Sequence, residues 1–381
     1  MIRMLTAHTE EADIFSEAIS ELKNGLGAAF LKNSIGLIHC HPDFVHTDAV
    51  RAVCEAFPFP VAGVSCSCQA TDGFTAQMGL TLIVLTSDNC SFELSVTDGD
   101  LTRYSMENEI PPAIKKLTER EMPKLIIPYF PFLKDTTADY FLTVFRSLDL
   151  DIPLFGTLPI SDEPDFSDVY TIANGECYEK RAAFIGIYGD ISPHFAVTSI
   201  PERTILKTED IITESRRNII TSVSGKNIIE YLTEKGLCDK NSIEKMMYQP
   251  FIFHTTDGTT LVRNFLHADL EKNELAICGD APLGSKLDVG LVSSDIVLST
   301  AAELIGNVKK DIGSEAVLLY SCVSRYWALG LDWEAEINQI SRILFGNKWS
   351  LAYSGGEIFP QWVDGKIINT LQNNCLIFCI L

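Results

Sequence analysis

Two polar clusters near the carboxyl end of the sequence hold the residue types of a small-molecule site. Ser321-Cys-Val-Ser-Arg325 closes one apolar run and Tyr353-Ser-Gly-Gly-Glu357 closes the next. Arg325 can clasp a carboxylate through two parallel N–H bonds, and Glu357 can meet an ammonium group. Gly355 and Gly356 let backbone approach a ligand closely, while Cys322, Ser324 and Ser354 add thiol and hydroxyl groups. This set suits an amino acid or a small carboxylate. The same residues also allow a structural alternative, an Arg325–Glu357 ion pair that fastens the two loops together. Arg263 is a further candidate, because a charge in the middle of an apolar strand must be paired, face a cavity or point outward from a sheet edge.

Other chemistries have weaker support. The seven histidines are densest at Ile38-His-Cys-His-Pro42 with His46, where iron or zinc is conceivable. Cys66-Ser-Cys68 is one residue short of a Cys-x-x-Cys pair, so a four-ligand metal site is incomplete and these histidines read as loop and satisfied strand-end side chains. Gly63-Val-Ser-Cys-Ser67 lacks the second glycine of a nucleophile elbow, and Ser224-Gly-Lys-Asn227 lacks the first glycine and the final hydroxyl residue of a P-loop. Asn24-Gly-Leu-Gly-Ala-Ala-Phe30 ends in Phe where a dinucleotide fingerprint needs Gly or Ala. A thiol at Cys322 beside Arg325 could be activated by the cation, yet no histidine base is near it in sequence. The expectation is a binding protein and not an enzyme.

The elements that must position these residues follow from periodicity. Ala316–Cys322 is an unbroken apolar run, Asp332–Leu344 has helical spacing, and Leu351-Ala-Tyr-Ser-Gly-Gly is a second apolar run: strand, helix, strand. A parallel crossover puts both polar clusters at one carboxyl edge, where open sheets bind ligands. The theme recurs. Ser34–Cys40, a helix over Asp48–Phe57 with Thr47 as N-cap, and Pro60–Cys66 form one copy, extended by Leu80–Thr86. Lys124–Tyr129, a helix over Thr136–Leu148 and Pro153–Thr157 form another, extended by Arg181–Tyr188, and Cys375–Leu381 extends the carboxyl-terminal copy. Between the last two copies the texture becomes polar through Ile211-Ile-Thr-Glu-Ser-Arg-Arg, then gives a helix over Asn227–Lys235. Consecutive antiparallel strands are expected at Phe251–His254, Thr259–Leu266 and Glu274–Cys278, with Asp257-Gly258 as a hairpin turn, and a helix from Ile296 to Asp311. The expected fold class is α/β with mixed sheets (α+β), built from repeated βαββ units in two halves, residues 1–215 and 216–381.

Composition narrows the partners. The chain has 381 residues, 46% hydrophobic and 21% charged, and a formal net charge of -21. Such a charge argues against nucleic acid or an anionic membrane surface, where Lys and Arg must meet phosphate. The opening residues turn acidic at Glu10–Asp13 without an apolar export segment, and no apolar run approaches the roughly 20 residues of a membrane span. The eleven scattered cysteines suit a reducing compartment, so a cytoplasmic location is expected.

Gly63-Val-Ser-Cys-Ser resembles the strand-end motif of the N-terminal half of the FIST domain. Ser321-Cys-Val-Ser-Arg325, Tyr353-Ser-Gly-Gly-Glu357 and Asn369-Thr370 are similar, in order and spacing, to motifs of its C-terminal half. Ser324 stands where the family commonly has Gly, and Ser67-Cys68 alters the N-terminal motif. The resemblance implies an intracellular sensory domain that binds a small ligand such as an amino acid and signals through a separate partner. It also implies an alternative, a haem-binding nitric-oxide sensor that controls a histidine kinase, so haem is a possible cofactor. A thiol redox switch at Cys66 and Cys68 or at Cys322 is a third alternative.

Overall fold

Apolar runs with little alternation demand sheets covered on both faces, and the chain supplies three. The computed structural model describes residues 2–27, 29–134, 136–163, 166–198, 200–238, 243–309 and 316–381. The first unit comprises β1 (Arg3–Thr9), α1 (Phe15–Leu26), β2 (Asn33–Cys40), α2 (Asp43–His46), α3 (Ala49–Glu55), β3 (Val61–Ser65), the hairpin β4 (Cys68–Thr71) and β5 (Phe74–Ala76), and β6 (Leu80–Ser87). The second repeats the order with β7 (Ser91–Val96), α4 (Met106–Thr118), β8 (Leu125–Tyr129), α5 (Ala138–Arg146), β9 (Gly156–Thr157), the hairpin β10 (Thr171–Ala173) and β11 (Glu176–Tyr178), and β12 (Ala183–Tyr188).

The third unit begins with β13 (His194–Val197) and is interrupted by an insertion. That insertion holds β14 (Ile205–Leu206), β15 (Ile212–Arg216), β16 (Ile219–Val223), β17 (Lys226–Asn227), α6 (Ile228–Glu234), β18 (Phe251–His254), β19 (Thr260–Arg263), β20 (Phe265–Asp269), β21 (Glu274–Ile277) and β22 (Lys286–Gly290). The unit resumes with α7 (Ser294–Val308), β23 (Val317–Cys322), α8 (Val323–Leu329), α9 (Ala335–Ile343), β24 (Trp349–Ser354), the hairpin β25 (Glu357–Val363) and β26 (Lys366–Gln372), and β27 (Leu376–Ile380). The class is α+β with mixed sheets, as the sequence indicated.

Each unit holds a parallel pair, β2 with β3, β8 with β9 and β23 with β24, flanked by antiparallel strands. The hairpin after each pair leaves its own unit. The β4–β5 hairpin pairs with β24 in the third sheet, β25–β26 with β9 in the second, and β10–β11 with β3 in the first. The loans close a cycle, so every sheet is completed by another unit. The inner faces pack on one another through residues such as Leu37, Ile127 and Leu318, and the outer faces are covered by α1 and α3, by α4 and α5, and by α7 and α9. No helix among the described residues is long and apolar enough to cross a membrane.

Several expected elements differ in detail. The run Thr259–Leu266 divides at Asn264, with β19 paired to β18 and β20 paired to β21 in a separate sheet. Thr47 is not an N-cap: it is the C-cap of α2, and Asp48 at φ 63° is the N-cap of α3. Helix α7 is described to Val308, and its expected end at Asp311 lies outside the described residues.

Two glycines allow the parallel pairs to close. A Cβ at Gly63 would lie 1.7 Å from the Ile38 carbonyl oxygen, and one at Gly156 would lie 2.0 Å from that of Pro128. Because these neighbours are backbone, they cannot swing aside. Gly63→Ala is expected to destabilise the fold by about 3 kcal/mol, the upper range for overpacking, whereas Gly73→Ala, with nothing within 4 Å, is near neutral. Urea unfolding of the two variants is the check; equal midpoints would refute the packing argument.

Candidate functional site

Strand alternation decides where the carboxyl-terminal cluster points. Ser321 and Cys322 are neighbours at the end of β23 and therefore face opposite sides of the third sheet. On the outer side, α8 begins at Val323 and turns Arg325 back toward α9. Its guanidinium meets Glu336 Oε1 from Nη2 at 2.5 Å and from Nε at 3.1 Å. It also donates to the Val297 carbonyl at 3.0 Å and to Thr300 Oγ1 at 3.3 Å. Glu336 Oε2 accepts the Ser321 and Tyr353 hydroxyls at 3.1 and 2.8 Å. Both charges are buried, Arg325 at 2% and Glu336 at 0% exposure. The structural alternative of an Arg325–Glu357 pair is thus corrected: Arg325 is held by Glu336 on the opposite face.

On the inner side lies a compact polar cluster. Glu357 is fully buried, accepts from Ser354 Oγ and from the Cys375 thiol, each at 3.3 Å, and is pushed well above the usual carboxylate range by burial. Ser324 donates to Asn374 Oδ1 at 2.9 Å, and Asn264 Nδ2 lies 3.6 Å from Cys322 Sγ. Burial, with Glu357 nearby, pushes the Cys322 thiol up to about 12. Cys66 and Cys68 are also fully buried with raised thiols, the reverse of the microenvironment that makes cysteine reactive. The eleven cysteines are thiols, none of them joined in a disulfide.

Arg263 is fully buried as well. Its Nη2 meets Asp139 Oδ1 at 2.8 Å, and its Nη1 donates to the Leu371 carbonyl at 2.7 Å. Asp139 lies on α5 and also accepts the Asp280 N–H at 2.7 Å, so this pair clips the insertion to the second unit.

The cavity is adjacent to these groups. A cleft of about 630 Å³ opens where the chain leaves the carboxyl ends of β8 and β9, lined by Phe132–Lys134 and Leu158 on the second unit. Its far wall is the insertion, through the turn 216–219 and residues His267, Cys278 and Gly279. Gly355, Leu371 and Asn373 complete it. Of the residues singled out in the sequence, Gly355 lines this cleft. Its N–H is bonded to the Leu158 carbonyl at 3.0 Å. Arg263 stands behind the wall against Gly279, where a Cβ would meet its Nε at 2.3 Å. Cys322, Ser324, Arg325, Ser354, Gly356 and Glu357 are not among the lining residues.

Sequence reasoning missed Lys134, Thr136, Arg216 and Arg217, which line the cleft. The available signal was their place in the repeat: Phe132–Thr137 follows β8 as Val323–Arg325 follows β23. Arg216-Arg217, a basic pair in an acidic chain, belonged to a stretch read as a polar connection.

The histidines separate. His41 bridges Asp43 and Asp162 at 3.3 and 3.6 Å, and the Asp162 bond chiefly raises its pKa. His46 meets Asp168 at 2.7 Å. His39 instead points into the centre of the molecule, where neither ring nitrogen has a hydrogen-bond partner, so the expectation of a satisfied side chain fails there. Among the described residues no group of three His, Cys, Asp or Glu is arranged to hold a metal ion.

Residues 34–226 match the FIST N domain and residues 228–360 match the FIST C domain. No curated protein matches the chain. The two matches cover most of the sequence in the order that the strand-end motifs suggested, and they meet at the cleft, whose walls come from both. The chain belongs to the FIST family of signal-transduction sensory domains.

Proposed function

We propose that this chain is an intracellular sensor that binds a small ligand, an amino acid or a related small acid, in the cleft between β8 and the insertion, and signals by contact with a separate protein. The observation that carries this reading is the composition of the walls. One side comes from the second unit; the other is the insertion, whose turn 216–219 still belongs to the FIST N match and whose Leu266, His267 and 277–279 belong to the FIST C match, so residues of both matches face the same cleft. A ligand there touches both, so its binding energy can favour one relative placement of the two, and only such differential affinity shifts a conformational equilibrium. The buried Arg263–Asp139 pair directly behind the cleft supplies a hinge point between the same two parts.

A second reading has one observation in its favour. His267 and Cys278, residue types that serve as axial haem ligands, both line the cleft.

One sample tests both. The purified chain, expressed with haem available, is first examined by absorption and then by thermal shift against amino acids and small carboxylates. A ligand at about one hundred times its Kd is expected to add about 2.7 kcal/mol of stability, and Lys134→Met to abolish the gain. A Soret band lost in His267→Ala would establish the haem reading. No response to any compound and no band would remove both.

A further inference from the structure

A second cavity, of about 390 Å³, shares Asn373 with the cleft and is otherwise built from different residues. It lies between β13, the edge strand of the third sheet, the β25–β26 hairpin and β19 of the insertion, and its volume falls within the range of small-molecule pockets. Rings form one wall. The Phe195 ring is 5.8 Å from that of Trp362, tilted at 36°, and 6.3 Å from that of Phe359, edge-on at 89°. Trp362 nevertheless keeps 54% of its surface exposed, an aromatic face open to a ligand. The hairpin holds that face in place. Val363 pairs with Lys366, so the turn has two residues, Asp364 and Gly365, at φ 50° and 78°, the turn type that matches the twist of antiparallel strands.

Among the described lining residues the polar side chains are amides, hydroxyls and the Cys375 thiol, and two of them have capacity to spare. Gln361 donates from Nε2 to the Thr260 carbonyl at 3.0 Å and to Thr370 Oγ1 at 3.1 Å, while its Oε1 accepts no hydrogen bond from the described residues. Thr198, 7% exposed, accepts the Leu376 N–H at 2.9 Å and gives its own proton to no described acceptor. Gln372 is by contrast fully engaged. Its Oε1 takes the Val262 N–H, and its Nε2 donates to the Thr260 carbonyl and to Thr370 Oγ1, each at 3.0 Å. The floor is therefore fixed, and one unfilled acceptor and one unfilled donor stand beside an open aromatic face.

We infer that this pocket is a second ligand site, one that takes a planar ring with lactam or imide groups on its edge, as in a nucleobase. The ring lies against Trp362, an N–H of its edge donates to Gln361 Oε1, and a C=O accepts the Thr198 hydroxyl. Stacking alone accepts any flat molecule, because every such ring has a face to offer. The two hydrogen bonds set the class, in the way that single bases are read when an aromatic side chain holds the ring and polar groups meet its edge. Nothing in this assignment depends on what the cleft binds.

The test is calorimetric titration of the full chain with thymine and hypoxanthine, with the form of each in which the ring N–H groups are methylated, and with indole, a flat ring without a lactam edge. At least one lactam is expected to bind, and its methylated form to bind about threefold or more weakly, as for loss of one neutral hydrogen bond. Indole should be weaker still. Trp362→Ala is expected to weaken the lactam at least about fivefold. Trp362→Phe, which keeps a ring, should restore most of that affinity, and because residue 362 is half exposed both variants should fold. Lys134→Met, in the cleft, should leave the lactam affinity unchanged. No binding of either lactam, a methylated form or indole binding as tightly as the lactam, or an affinity unchanged in Trp362→Ala overturns the inference. Lactam binding lost in Lys134→Met but kept in Trp362→Ala places the compound in the cleft, which overturns the inference and leaves the cleft as a ligand site.

Discussion

Arg325→Ala is expected to destabilise the fold by about 3–5 kcal/mol, the cost of removing one partner of a buried ion pair. The variant leaves Glu336 fully buried with two hydroxyl donors, Ser321 and Tyr353, and no cation. It also frees the Val297 carbonyl and Thr300 Oγ1 at the α7 end of the network. Arg325→Met combined with Glu336→Leu should regain much of the loss, because an apolar pair of similar volume needs no desolvation of charge. Guanidinium unfolding of the three proteins is the measurement. Ligand affinity in the surviving folded fraction should be unchanged, since the pair lies on the face of the third sheet opposite Glu357 and outside the cleft lining. A variant of full stability that had lost ligand binding would return Arg325 to the binding site.

The second large effect concerns acid. His39, Tyr129 and Tyr320 are inward-facing residues near the carboxyl ends of β2, β8 and β23, and they meet where the three sheets do. The tyrosine hydroxyls are 3.1 Å apart, and the His39 ring lies 6.4 and 5.6 Å from the two phenol rings. Burial lowers the His39 pKa from 6.5 to about 3. The unfolded chain therefore takes up a proton below about pH 6.5 that the native chain refuses until about pH 3, and stability falls as pH drops through that window. Over the whole window the linkage amounts to about 4–5 kcal/mol, and by pH 5 to about 2 kcal/mol. His39→Leu should be more stable than wild type by about 1–3 kcal/mol at pH 7, because two unpartnered ring nitrogens are gone, and its advantage should widen between pH 7 and pH 5. Denaturant unfolding at both pH values decides the matter. A constant difference would mean that His39 is hydrated or paired in the native protein.

The apolar runs and the small residues that end them were enough to find the three strand–helix–strand units, because strands buried on both faces leave an uninterrupted hydrophobic record. What they could not reveal was the destination of each hairpin. Nothing local in Cys68–Ala76 says that it pairs with Trp349–Ser354, since pairing partners are set by the closure of the whole assembly. Helix α4 was hidden for a local reason: Pro111 and Pro112 lie inside it and read as a break. The sequence put its candidate residues at the carboxyl edge of β23 and β24, whereas the cleft opens at that of β8 and β9, and of those residues Gly355 lines it. Arg325 and Glu357 look like partners in sequence, but α8 turns Arg325 to the outer face of the third sheet while Glu357 starts β25 on its inner side, and Glu336 was concealed on the buried side of an amphipathic helix. Arg217 left only a basic dipeptide in a polar connection, because its place in the cleft lining follows from the β15–β16 turn and not from a motif.

The cyclic loan of hairpins also governs the order in which the molecule can come into being. During synthesis the first unit emerges with a sheet that waits for β10–β11, residues 171–178, from the second. The second sheet waits for β25–β26, residues 357–372, and the third acquires β27 only when residues 376–380 have left the ribosome. Contacts of such sequence separation make folding slow and late. Until then β9 keeps an open edge, a ready template for a stray strand. Residues 357–380 thus act as a clasp that completes the second and third sheets, and translation through that stretch is the moment of commitment for the whole molecule.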